Sequence, residues 1–296
     1  TLPDVAAATA DIKLAATREN KPNRRSPFSL RLALLIGLAL ILVGGAAWFY
    51  QLSVGFLQTA NMSNAFPWGL GIGIFAFLVG FAAGGQLLSS YAVLRKKAQL
   101  QDYAALCAAI AFSAALAASV AVLADLGNIG NVLAMIIGPH LTSPLVWDMV
   151  ALTVFILVAL VNFIILALPA WTRSETRIGT WLAKRIKPER ADASRRRLAP
   201  ILAVIGIIAA VALQIVEGLI FSLQAAHVWW HTPLLPFDFI AVSGICGSAL
   251  LLLVLALTTM KSQTEHSHTT IKHVSRVLVV SLVLHFAIVA IAGPVS

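Results

Sequence analysis

Four carboxylic acids sit where an apolar chain has least use for them. Asp125 and Asp148 flank one connection between long apolar runs, Glu217 lies inside the next run but one, and Asp238 opens the run after it. A carboxylate in or near hydrocarbon is costly, so each of these groups needs a proton, a hydrogen bond, contact with water or a partner from another subunit. For an acid at a helix start there is a plainer role, capping the N-terminus or lying in its first turn beside the helix dipole, and this is open for both Asp148 and Asp238. Glu217, about five residues inside its run by position, is beyond the reach of a cap. His140, His227 and His231 fall in the same connections; an imidazole with an ordinary pKa of ~6.5 suits proton exchange beside acids, although a solvated loop histidine has no chemical role.

Aromatic residues gather with them. Trp48, Trp68, Trp147, Trp229 and Trp230, with Tyr50, fall at the same ends of the apolar runs. An interfacial aromatic belt explains such a set, and a flat ring-shaped ligand or a docked partner is the functional alternative. The stretch after Trp68 carries Gly69 and Gly73, then Gly80 and Gly84, each pair spaced by four. That spacing puts small residues on one helix face, where another backbone, or a cofactor, can approach.

The elements that position these groups follow from composition. The 296-residue chain is 59% hydrophobic and 11% charged, with a mean hydropathy of +0.90, which exceeds what a water-soluble domain carries. Apolar runs fall at about 30–52, 67–94, 103–124, 145–171, 198–223, 237–260 and 274–293. Each approaches or exceeds the ~20 residues that a helix needs to cross a bilayer, and none shows the alternation of a membrane β-barrel. The predicted fold is all-α, a polytopic transmembrane helical bundle of about seven spans over 30–296, preceded by a polar tail, 1–29.

The net charge of +9 does not indicate nucleic acid, because the basic residues sit in the tail, at Arg95, Lys96 and Lys97, across 173–197, and at Lys261, Lys272 and Arg276, while the alternate connections 53–66, 125–144 and 224–236 hold no Lys or Arg. Under the positive-inside rule the N-terminus and the basic connections are cytoplasmic, with membrane lipid as their neighbour, and the acids and histidines lie toward the outer face. The 172–197 connection reads as a solvated basic loop, or as a short amphipathic turn at Ile178, Trp181, Leu182 and Ile186 lying on the membrane surface. Cys107 and Cys246 stand alone inside spans, so no iron–sulfur cluster or structural zinc is expected in this chain. A bis-histidine haem is not expected either, since His285 alone lies well inside a span. Acids, histidines, aromatics and bare helix faces converging at one membrane surface fit a site where a lipid-soluble molecule exchanges protons together with electrons, and a quinone, menaquinone or ubiquinone, is the natural candidate. A proton-coupled transporter and a purely structural anchor are the rival readings.

Three segments, "PWGLGIGIFAFLVGFAAGG" (67–85), "SPLVWDMVALTVFILVAL" (143–160) and "HVWWHTPLLPFDFIAVSGICGSALLL" (227–252), together resemble the NrfD/PsrC family of polysulfide-reductase-like membrane subunits. They lean toward the branch found in quinone-linked hydrogenases, the quinone reductase complex and alternative complex III. The resemblance implies a haem-free subunit of a bacterial or archaeal cytoplasmic membrane that exchanges electrons between the quinone pool and a ferredoxin-like iron–sulfur partner, with a molybdenum-containing catalytic subunit beyond it. By position it brings forward Trp68, Asp148 and His231; Asp125, His140 and Glu217 join them by chemistry, with Trp147, Gly69, Gly73 and Tyr50 as candidate ring contacts. Family members usually have eight or more spans, against the seven expected here.

Overall fold

The computed structural model describes residues 27–55, 58–59, 69–96, 98–125, 130–223, 230–259 and 265–292. Most of these are helical, with no strand among them, and seven helices are long and apolar enough to cross a membrane. The chain forms two compact units, residues 1–59 and 60–296. The first contributes α1 (Pro27–Val54), a helix apolar along its length, with Leu34, Leu40, Ile41 and Val43 all exposed. Apart from residues 27–29, which open α1, the expected polar tail lies outside the described residues.

The second unit contains α2 (Leu70–Leu94), α3 (Ala98–Asp125), α4 (Gly130–Ile137), α5 (Pro144–Thr172), α6 (Arg177–Arg185), α7 (Pro188–Ser222), α8 (Leu235–Thr259) and α9 (Glu265–Ala292). Its centre is a closed ring: α2 packs on α3, α3 on α5, α5 on α7, and α7 back on α2. Small side chains allow this closeness. Ala104, Ala108, Ala111, Ala115 and Ala118 recur at intervals of three and four along α3 and are buried, and a Cβ at Gly85 of α2 would stand 3.0 Å from the backbone of Cys107 and Ala111. In an apolar solvent, association depends on such fit rather than on hydrophobic exclusion. Val79, Phe155 and Leu213 fill the centre of the ring.

Helix α8 lies across α2 and α7, and α9 lies against α8. The crossing of α2 and α8 is made by Gly84 and Gly247, each so close to the other's backbone that a Cβ on either would collide. Of the two glycine pairs singled out in the sequence, Gly80 and Gly84 face α8 as the spacing predicts. Gly73 does not: a Cβ there meets nothing within 4 Å, because that end of the helix face lies beyond the crossing.

Two short helices lie in the connections. The connection 125–144 contains α4, which the sequence reading did not include, and of the two readings of the basic connection the structure shows the short amphipathic one, α6, started by Thr176, whose hydroxyl accepts from the Gly179 amide at 3.1 Å. Trp181 on α6 is exposed and lies under the Arg185 guanidinium, 5.1 Å from ring centre. Helix α7 reaches ten residues further into this basic segment than its apolar run suggests, to a length of 35 residues, and Arg173 pairs there with Asp192. The bundle thus has a basic end, and an opposite end where α2, α5 and α8 begin and α3, α7 and α9 finish.

Candidate functional site

At this second end the ring opens into a cavity of about 340 Å³, within the size range of small-molecule sites. Helix α2 supplies Ile72 and Phe75, α3 supplies Ser119, Val122, Leu123 and Asp125, and α5 supplies Leu145, Asp148, Met149, Leu152, Thr153 and Ile156. Glu217, Ile220 and Phe221 come from α7, and Met135 from α4. The walls are apolar with three carboxyl groups set into them.

Each acid reaches the cavity for a local reason. Helix α5 starts at Ser143, with Pro144 in its first turn, where a missing amide hydrogen costs nothing. Asp148 is therefore beyond the first turn, so the capping role open to it in the sequence is not the one it takes. It points inward, 8% exposed, with Oδ1 buried and unpartnered. Glu217 is 1% exposed and neither of its oxygens has a protein hydrogen-bond partner. Asp125, half-buried, closes α3, and Gly71 of α2 makes room for it: a Cβ at position 71 would collide with its carboxyl group. Buried polar atoms are nearly always satisfied, so oxygens aimed at a cavity without protein donors are suited to a ligand that brings its own polar groups. The wall hydroxyls do not compete, since Ser119 donates to Ala115 O at 2.9 Å and Thr153 to Met149 O at 2.7 Å within their own helices.

The other expected site residues are not in this wall. His140 is exposed in the turn before α5, where its carbonyl accepts from the Ser143 amide at 2.8 Å. Trp147 is 53% exposed and donates its indole N–H to Leu141 O at 2.8 Å, which holds that turn to the helix rather than offering a ring to the cavity. His231 is exposed, with Nδ1 2.8 Å from Ser222 O at the end of α7. Gly69 caps α2 without lining the cavity, and a Cβ at Gly73 would meet nothing within 4 Å among the described residues. Tyr50 belongs to α1 in the other unit, where its carbonyl accepts from the Ser53 hydroxyl. Trp68 and His227 lie outside the described residues. Asp238, in the first turn of α8, meets His285 of α9 at 2.6 Å; the sequence offers no basic partner in the neighbouring connections, and the fold brings one from a span.

Deeper in the ring lies a polar cluster that the search for acids and histidines passes over. Asn162 donates its amide to Gln86 Oε1 and to Ser89 Oγ, both at 3.3 Å; Gln86 donates to Ser90 Oγ at 3.2 Å, and Ser89 to Ala104 O at 2.9 Å. All four side chains are fully buried, and Gly206 of α7 leaves the space that the Gln86 amide occupies. Gln214, one turn below Glu217, donates to Phe239 O at 3.1 Å. Amides inside apolar runs were the signal available for these residues. Among the described residues, no group of three or more His, Cys, Asp or Glu side chains is placed to hold a metal ion.

A family model described as "Polysulphide reductase, NrfD" matches residues 58–294. The chain is also 33% identical, over 228 residues, to a protein of Halobacterium salinarum described as a putative membrane subunit of a dimethyl sulfoxide reductase. That match takes in 73% of this chain and 49% of the relative, so the chain spans about half the length of the curated relative. Three motifs at helix starts, seven apolar helices and a family match from the end of the first unit almost to the last residue agree: the chain is a multi-pass membrane protein belonging to the NrfD polysulphide reductase family.

Proposed function

We propose that this chain is the quinone-reactive membrane subunit of a multi-subunit oxidoreductase, and that the cavity between α2, α3, α5 and α7 receives the quinone ring. The observation that carries the reading is the convergence of Asp125, Asp148 and Glu217 on one apolar-walled cavity, with Asp148 Oδ1 and both Glu217 oxygens free of protein partners. A quinone has an apolar ring and two oxygens that gain or lose protons with each electron pair. Apolar walls from Phe75, Leu152 and Ile220 suit the ring, and the carboxyls suit its oxygens.

In this reading Glu217 and Asp148 exchange the protons. With a quinone bound, the acid form of either residue donates to a ring oxygen; with a quinol bound, the carboxylate accepts the hydroxyl proton as electrons depart. Asp125, at the cavity rim, passes protons toward water. Electrons leave to, or arrive from, a ferredoxin-like iron–sulfur subunit docked at this end of the bundle, and a molybdenum-containing subunit carries out chemistry on the terminal substrate. The name of the halobacterial relative, a reductase membrane subunit, supports that arrangement. The membrane is the cytoplasmic membrane of a bacterium or archaeon, with the basic end inside.

The test is turnover of a soluble quinol analogue by the purified complex. Asp148→Asn and Glu217→Gln are expected to slow it by about 10² to 10⁴-fold, the range for loss of a general acid–base group, while the complex stays assembled. Variants that turn over like the wild type would leave the chain as a structural anchor.

A further inference from the structure

Away from the cavity, two ionisable side chains meet within the apolar spans. Asp238 Oδ1 and His285 Nδ1 are 2.6 Å apart, with Asp238 in the first turn of α8 and His285 seven residues before the end of α9, about 10 Å along the helix at 1.5 Å per residue. Both therefore lie toward the cavity end of the bundle. The pair is packed on one side and open on the other, with side-chain exposures of 15% for Asp238 and 27% for His285.

The packed side leads toward Glu217. Gly218, the next residue, lies so close to Pro236 that a Cβ would collide with its backbone, and Pro236 is two residues before Asp238. Gln214 bridges the same two turns by donating to the carbonyl of Phe239, next to Asp238, while its own Oε1 is buried without a partner. The rings of Phe221, in the cavity wall, and Phe239 are 5.3 Å apart. The turn of α7 that carries Glu217 is thus in contact with the turn of α8 that carries Asp238, across a seam that contains an unsatisfied polar group.

We propose that the Asp238–His285 pair is a proton-relay site serving Glu217, exchanging protons between the cavity and water at this end of the bundle. The proposal rests on the quinone reading above. Each two-electron oxidation of a quinol releases two electrons to the iron–sulfur partner and two protons; Asp148 accepts one, Glu217 accepts the other and passes it along the Gln214 seam to the pair, and the carboxylate of Asp238 stabilises the imidazolium of His285 until its other ring nitrogen releases the proton outward. Reduction runs the same steps backward. A structural pin is a weaker explanation, because Gly244 already seats Ser281 between α8 and α9, closely enough that a Cβ at 244 would collide with its hydroxyl. Ionisable residues within spans pair with one another and mark functional sites, proton relays among them. The other titratable groups on the elements around the pair are few toward this end: Glu217 on α7, whose Glu189, Arg190, Asp192 and Arg195 to Arg197 lie at the basic end, and Cys246 eight residues further along α8. Asp125 closes α3, which also touches α9; α2 has no ionisable side chain before Tyr91, and on α9 the remaining ionisable residues, ending with Arg276, lie toward the basic end.

The experiment compares quinol turnover across pH for the whole complex with Asp238→Asn, His285→Gln and His285→Ala beside Glu217→Gln and Asp148→Asn. Loss of the relay is expected to slow turnover at saturating quinol about tenfold or more, to alter its pH profile, leave KM little changed, and be partly rescued in His285→Ala by added imidazole. If Glu217→Gln and Asp148→Asn lose turnover while the Asp238 and His285 variants keep the wild-type rate and pH profile, the relay is overturned and the quinone reading stands. If Glu217→Gln and Asp148→Asn keep turnover, the quinone reading falls first. Should the Asp238 and His285 variants fail to assemble, the redox difference infrared spectrum of the wild-type complex decides. Imidazole bands of His285, assigned by ring-labelled histidine, that change on quinol addition support the relay, and silent ones overturn it.

Discussion

Asp148 and Glu217 owe their interest to what surrounds them rather than to their type. A cap would have found its donors in the first turn of its own helix; Asp148 lies past that turn because Ser143 and Pro144 start α5 earlier. The motif around Asp148 was plain in the sequence, but the choice between cap and cavity wall was not, since it depends on one helical turn of register. Gly71 was missed for a similar reason. It sits between two glycines whose spacing attracted attention, yet it is the one against Asp125, and helix phase relative to a neighbour cannot be read from a single chain. Gly71→Val is expected to push the Asp125 carboxyl from the cavity rim and lower quinol turnover without loss of assembly, as checked by kinetics and size-exclusion chromatography. Asn162→Leu removes the donor that Gln86 Oε1 and Ser89 Oγ share. Leaving a buried acceptor unsatisfied costs about 1–3 kcal/mol, so a lower melting temperature of the detergent-solubilised protein is expected.

At the scale of helices, the spans were readable because a bilayer sets their length and the apolar runs meet it. What the runs did not contain was the order of packing. A ring of α2, α3, α5 and α7, with α8 laid across α2 and α7, follows from which faces carry small residues. Gly80 and Gly84 announced such a face; Gly73, at the same spacing from Gly69, meets nothing within 4 Å among the described residues. Gly84→Leu is therefore expected to force α2 from α8 at Gly247 and abolish accumulation of folded protein. Gly73→Leu, against open space, is expected to fold like the wild type. Equal damage from both, judged by membrane-fraction yield, would contradict this packing. In the basic connection the amphipathic turn was legible at Ile178, Trp181 and Leu182, and what went unread was the early start of α7: Thr176 caps α6, and Pro188 gives α7 a compatible first turn.

For the whole molecule, charge separates the two ends of the bundle, and the site lies at the end free of Lys and Arg in its connections. The orientation we propose from the positive-inside rule has the cavity toward the outer face. A single cysteine at Glu175, in a background lacking Cys107 and Cys246, is expected to react with a membrane-impermeant maleimide only after cells are opened, and one at His140 in intact cells that produce this chain without its partner subunits. The reverse pattern would move the cavity to the inner face. The central claim, that electrons pass between a quinol in this cavity and an iron–sulfur partner, is tested most directly by electron paramagnetic resonance of the complex purified in mild detergent. Spectra are recorded before and after adding a quinol analogue, for wild type and Glu217→Gln. Iron–sulfur signals that appear with quinol in the wild type and fail to appear on the same timescale in Glu217→Gln are expected. A complex without clusters, or clusters that ignore quinol, would contradict the claim outright, and equal reduction in both proteins would remove Glu217 from it.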